Sequence, residues 1–204
     1  MSFSLSSGLG SDDLGRAVLE VNIFGVVLIL LIVMAAWLIW TYNRFIRHKN
    51  NVREAWSGID VQLKRRHNLI PNVIEAVKGY MGHEQGTLDS LTRLRTGTDA
   101  GESVSEIAQH ESDLSRAIGG ILAVAEGYPD LKANTGFLDL QQKLHETEEQ
   151  VQLARRYYNG TVRNWNVLVE SFPSNVIAGI FRFELAEFFE IELATERTLP
   201  KVDF

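Results

Sequence analysis

Residues 21–43 carry no charged side chain, and the first twenty of them, VNIFGVVLILLIVMAAWLIW, are apolar apart from Asn22 and Gly25. At about 1.5 Å of rise per residue, roughly 20 such residues cross a hydrocarbon core of about 30 Å, so the stretch reads as a membrane-spanning helix. A secretory signal would have a basic leader and a shorter apolar core, whereas here Asp12, Asp13 and Glu20 stand against a single Arg16. A core helix of a soluble domain seldom runs this far without a charge. Trp37, Trp40 and Tyr42 gather at the downstream end, where amphipathic rings favour the headgroup level.

The flanking charges set an orientation. Arg44, Arg47, His48, Lys49 and Arg53 follow the span while the leader is net acidic, so the positive-inside rule places the amino terminus outside and the bulk of the chain in the cytoplasm. The absence of cysteine is compatible with a reducing compartment. Four regions are expected: a short, disordered exterior segment over 1–20, the span over 21–43, a cytoplasmic helical bundle over 44–183 and an acidic tail over 184–204. The roughly 160 residues beyond the span suit one domain. The net charge of −6 conceals a basic stretch beside the membrane that includes Arg44, Arg47, Lys49, Arg53, Lys64, Arg65 and Arg66. That placement suits anionic lipid and not nucleic acid.

Beyond the membrane the dominant pattern is a heptad. Val52, Trp56, Ile59, Leu63 and Ile70 step by three, four or seven, and the stripe resumes after Pro71 through Val73, Val77 and Tyr80, then Leu91 and Leu94. Pro71 predicts a kink or a new helix start, with Asn68 or Asn72 bonding the carbonyls it frees. Gly97 and Gly101 mark a turn before a second helix over about 102–126, its seam Val104, Ile107, Glu111, Leu114, Ile118, Ile121 and Ala125, capped by Ser103 or Ser105. Gly127 to Asp130 reads as a turn. A third stripe runs through Phe137, Leu140, Leu144, Thr147, Val151, Ala154, Tyr158, Trp165 and Leu168 to a stop at Pro173, and a short helix follows from Ser174. No segment alternates as a strand would. The expected fold is therefore all-α: a transmembrane helix continuing into an antiparallel bundle of three long helices plus a short fourth. Heptad stripes also suit self-association.

Catalytic and metal-binding patterns are missing. His83-Glu84 and His145-Glu146 open like HExxH, but Thr87 and Glu149 occupy the fifth positions, so two imidazoles do not face one metal. No P-loop, GxGxxG after a strand or GxSxG elbow occurs. The expectation is a protein with no catalytic, cofactor or metal residues. Arg66 stands at a seam position where an apolar residue belongs, which predicts burial against an acid on another helix, with Glu111, Asp139, Glu146 and Glu148 as candidates. Arg155, Arg156, Tyr158 and Asn159 are candidates for structural pairing or for an interface, pairing being favoured because Tyr158 lies on the seam.

Several motifs, in order, resemble the LemA family of bacterial membrane proteins. They are Tyr42-Asn43 followed by AWSGIDVQLKRRHNLIPNVIEAVKGY and His83-Glu84; YPDLKAN from Tyr128; ARRYYNGTV from Ala154; SFPSNVIAGI from Ser171; and the terminal PKVDF. The likeness covers nearly the whole chain from about Leu38. It implies an inner-membrane anchor and a cytoplasmic bundle of long helices, implies no enzyme, and carries over no catalytic residue. The functional expectation is a membrane-anchored scaffold or adaptor for other membrane or cytoplasmic proteins. The alternative is a membrane-surface effector whose basic helix binds the lipid bilayer. The acidic tail, with Phe188 and Phe189, either docks on the bundle or is presented to another protein.

Overall fold

The computed structural model describes residues 11–80, 91 and 102–190, those before Ile23 by backbone alone. Among the described residues five helices are delimited: α1 (Ser11–Lys78), α2 (Val104–Ala125), α3 (Pro129–Lys132), α4 (Thr135–Glu170) and α5 (Ser174–Phe181). No strand pairs with another into a sheet among the described residues.

The candidate membrane span and the first bundle helix are one helix of 68 residues. It begins at Ser11, so the expected disordered leader is helical over its second half, and it passes the expected boundary at residue 43 without a break. From Ile23 to Met34 the apolar side chains are exposed, as a candidate membrane span requires. Pro71 neither ends the helix nor starts a new one. Interior proline costs about 3 kcal/mol, and Ile70, Val73 and Val77, all buried around it, offset that through packing. Asn68 and Asn72 are exposed and bond no carbonyl there.

α4 runs antiparallel to α1. Val77 shares a cluster with Phe137, Arg66 meets Glu148, Trp56 meets Tyr158, and Phe45 meets Trp165. α2, by contrast, runs parallel to α1: Ala108 packs with Ala55 and Ile59, Glu111 meets Arg66, and Ile121 and Ala125 pack with Val73 and Val77. A simple turn over residues 97–101 would have made them antiparallel; that turn and Leu94 lie outside the described residues. Leu91 is buried in the membrane-distal cluster.

Local chemistry fixes the helix ends. Ser103 and Glu106 form a capping box, Ser103 Oγ accepting from the Glu106 amide at 3.2 Å and the Glu106 carboxylate accepting from the Ser103 amide at 2.8 Å. That hydrogen bonding holds the Glu106 carboxyl below its ordinary pKa. The expected turn begins at Gly127 and leads into α3, whose Pro129 sits at N1 and whose Leu131 seals the distal cluster. Asn134 caps α4 by accepting from the Phe137 amide at 3.1 Å. The chain leaves α4 at Ser171, passes a cis Phe172–Pro173 peptide and packs α5 against the membrane-proximal end of the α1/α4 pair.

Candidate functional site

Along α1 the buried positions 59, 63, 66, 70, 73 and 77 alternate by four and three, and only residue 66 among them is polar. Arg66 is 1% exposed. One guanidinium nitrogen donates to Glu148 Oε2 at 2.6 Å and to Ser115 Oγ at 2.8 Å; the other donates to the Glu111 carboxylate and to the Glu111 carbonyl at 3.2 Å. His67 Nε2 lies 2.8 Å from the second Glu111 oxygen. Burial alone would push the Glu111 carboxyl up, but the His67 hydrogen bond and the Arg66 charge outweigh it and hold the pKa below its ordinary value. One side chain thus ties α1, α2 and α4 in a single register, and its Nε remains without a partner. Of the four acids expected opposite Arg66, Glu111 and Glu148 are the ones it meets.

Above this hub lies an open groove of about 720 Å³ between α2 and α4. Ile118, Gly119 and Leu122 form one wall, Leu138, Gln142 and His145 the other, and Arg66 with Glu148 the end of its floor. A Cβ added at Gly119 or Gly120 would have no atom within 4 Å. Each glycine costs the helix about 1 kcal/mol relative to alanine, and packing among the described residues requires neither.

A second arrangement holds the chain after α5. Residues 184–190 run extended along the α1/α4 pair, antiparallel to α4. Asn166 donates to the Ala186 carbonyl at 3.0 Å and accepts from its amide at 2.8 Å; Asn159 does the same to Phe189 at 3.1 and 2.9 Å. Trp165 Nε1 donates to the Glu184 carbonyl at 2.8 Å and Tyr158 OH to the Glu187 carbonyl at 2.9 Å. Seven helical residues rise about 10.5 Å and three extended ones about 10.2 Å, so an aromatic–Asn pair repeated each heptad meets the strand every third residue. Burial first, and then Glu187, push the Tyr158 pKa up to about 12. Phe189 is fully buried against Trp56 and Tyr158. The first part of the tail therefore docks on the bundle, and the bundle extends past residue 183; residues 191–204 lie outside the described residues.

The remaining candidates separate. Arg44, Arg47, Lys49 and Arg53 are exposed just beyond the apolar run, Arg44 lying over Trp40 and Lys49 over Phe183. Burial, then Arg44 and Arg47, lower the His48 pKa. Lys64 pairs with Asp60 at 2.5 Å on the exposed face, and Arg65 is exposed beside it. Arg66 does not belong to this basic face, because burial and two carboxylates withdraw it. Arg155 is half-buried and Arg156 exposed, and neither joins an ion pair among the described residues; Tyr158 and Asn159 pair with the strand and not with acids. Periodicity marks Trp165 as a seam residue, and the bonds that it and Asn166 make to Glu184 and Ala186 go beyond that. The signal for both was the repeat of Tyr158-Asn159 seven residues later.

Among the described residues no group of three or more His, Asp or Glu is placed to hold a metal ion. His145 and Glu149 form an exposed pair at 3.6 Å, and His83-Glu84 lie outside the described residues. Comparison with known proteins gives a coherent picture. The chain is 24% identical over 181 residues to magnetosome protein MamQ 2 of Paramagnetospirillum magneticum, covering 76% of this chain and 66% of that protein. It is 25% identical over 137 residues to protein LemA of Metamycoplasma hominis, covering 67% and 63%. It thus spans just under two thirds of these curated relatives' own lengths. The model of the LemA family matches residues 55–204, from Ala55 in the bundle half of α1 to Phe204, and the chain belongs to the LemA family.

Proposed function

We propose that this protein is a membrane-anchored, non-enzymatic scaffold that holds a segment of another protein in the groove between α2 and α4. Residues 21–43 cross the bacterial cytoplasmic membrane once, with the amino terminus outside and the bundle in the cytoplasm. The observation that carries the reading is the open groove with its bare glycine wall: Gly119 faces open space, while Ile118, Leu122 and Leu138 offer apolar contact beside the amides of Gln141 and Gln142. Because α1 is continuous, the groove is held at a set distance from the bilayer. The test places a photo-crosslinking residue at Leu138 of the full chain in its membrane, with Leu153 on the outer face of α4 as control. Crosslinking to a partner of one defined mass at Leu138, lost on Gly119→Leu, supports the reading. Adducts that Gly119→Leu leaves unchanged, or that match those at Leu153, refute it.

A second reading is favoured by the exposure of Arg44, Arg47, Lys49 and Arg53 beside the span. These cations rest on anionic headgroups, each contributing about 1 kcal/mol near the surface. Replacing all four by Gln then removes the preference of the full chain for anionic over zwitterionic vesicles during reconstitution.

A further inference from the structure

The bundle does not stop where the uncharged run stops. Trp37 packs against the membrane-proximal cluster of Phe45, Trp165, Leu168, Ile177 and Ala178, and Thr41 is 2% exposed although it lies inside that run. Phe181 lies 4.8 Å from Tyr42, ring centre to ring centre. The domain thus reaches the level of Trp37 along α1, about 9 Å before Asn43 at 1.5 Å per residue. Upstream of that level only residues 21–36 are free of charge, and these 16 residues span about 24 Å, short of a hydrocarbon core of about 30 Å. A bilayer fitted to the apolar helix therefore overlaps the edge of the bundle.

That edge is built of apolar side chains facing out. Residues 171–181 contain no charge, and Phe172 is 83%, Ile180 67%, Val176 54% and Phe181 52% exposed. α5 ends at Arg182, in the left-handed region at φ 54°, and from there the chain turns into the clamped strand. Arg182, Lys49 and Arg53 line one shallow depression together with Glu184, and Arg44 and Arg47 stand exposed on the preceding turns of α1. Apolar side chains beside the span with cations below them match the bilayer's own order of acyl chain and headgroup.

We propose that α5 and Phe172 insert into the cytoplasmic acyl–headgroup boundary beside the span, so that the bundle is seated in the membrane surface at two points. The inference rests on the reading of residues 21–43 as the span, and the test separates the two. Because the chain has no cysteine, single-cysteine variants of the full protein take one fluorophore each. Ile180→Cys, Leu30→Cys and Leu153→Cys, each carrying a polarity-sensitive dye, are reconstituted in phosphatidylcholine–phosphatidylglycerol vesicles containing lipids spin-labelled shallow or deep in the acyl chain. The expected result is quenching at position 180 at least about twofold above position 153, stronger from the shallow label. Position 30 is quenched more strongly from the deep label. Position 180 matching position 153 while position 30 is quenched overturns the seating of α5 alone. Loss of quenching at position 30 overturns the span and the proposal with it. Val176→Cys repeats the measurement one turn away, so a local effect of one label does not decide the outcome.

Discussion

Replacing Arg66 by methionine keeps most of the volume and the helix propensity at a position 1% exposed, and removes the guanidinium that the Glu111 carboxylate meets inside the bundle. Breaking a buried pair by deleting one partner costs about 3–5 kcal/mol, because the remaining charge stays buried. For a chain of this size each kcal/mol moves the midpoint by roughly 2–4 °C, so the loss is about 10 °C. His67 retains its contact with Glu111, which places the expected cost at the lower end of the range. The double variant Arg66→Met, Glu111→Leu removes both buried charges and returns to within about 1 kcal/mol of the wild type, since apolar replacement of a whole pair is often neutral. The assay is thermal unfolding of the full chain in detergent, with both single variants completing the cycle. The pH dependence carries a sign. In the wild type the folded pKa of Glu111 is depressed, so its contribution is present above the ordinary carboxylate range and is lost as pH falls through the folded value. In Arg66→Met the guanidinium no longer depresses that pKa, so less of the stability is lost on acidification and the gap to wild type narrows. A cost below about 1 kcal/mol for Arg66→Met, or a double variant as unstable as the single, refutes the hub as described.

Asn166→Ala removes two hydrogen bonds to the strand backbone and is expected to cost about 1–3 kcal/mol, with faster proteolysis within residues 184–190 as the direct readout. Tyr158 ionises near pH 10 in the unfolded chain and at about 12 in the folded one, so stability is flat below pH 10 and falls between 10 and 12. Tyr158→Phe removes that alkaline limb in an unfolding titration. Ser103→Ala breaks the capping box and is expected to lower stability by about 1 kcal/mol, measured as a shift in the unfolding midpoint.

The long helices were legible because each buries one stripe at heptad spacing, and Val73, Val77, Leu114, Ile121, Leu144 and Leu168 fall where periodicity puts them. The position of Arg66 in its stripe was legible for the same reason: a charge at a seam needs a partner. Three things were not. Periodicity does not report the direction of a neighbour, so α2 running parallel to α1 left no trace. A proline leaves a bend within one helix and the start of a new one both open, and the buried residues on both sides decide for one helix. The strand of residues 184–190 has no alternation of its own because α4 holds it mainly by its backbone, with Phe189 as its one fully buried side chain; the record of it lies in Tyr158-Asn159 and Trp165-Asn166.

One face of α4 explains how both halves of the domain are completed. Leu138, His145, Gln152, Asn159 and Asn166 recur at seven-residue intervals, so they share a stripe that drifts only about 20° per heptad. In the membrane-proximal half Asn159 and Asn166 on that stripe grip the extended chain, and α5 closes the end. In the distal half Leu138 and His145 on the same stripe line the open groove beside α2. The α1/α4 pair leaves room for a third member along its whole length. Close to the membrane the protein fills that room with its own backbone; farther out it fills it with α2 and leaves α2 and α4 parted over Gly119. A bundle that completes itself at the anchored end and stays open at the free end is suited to holding something else at a fixed distance from the bilayer.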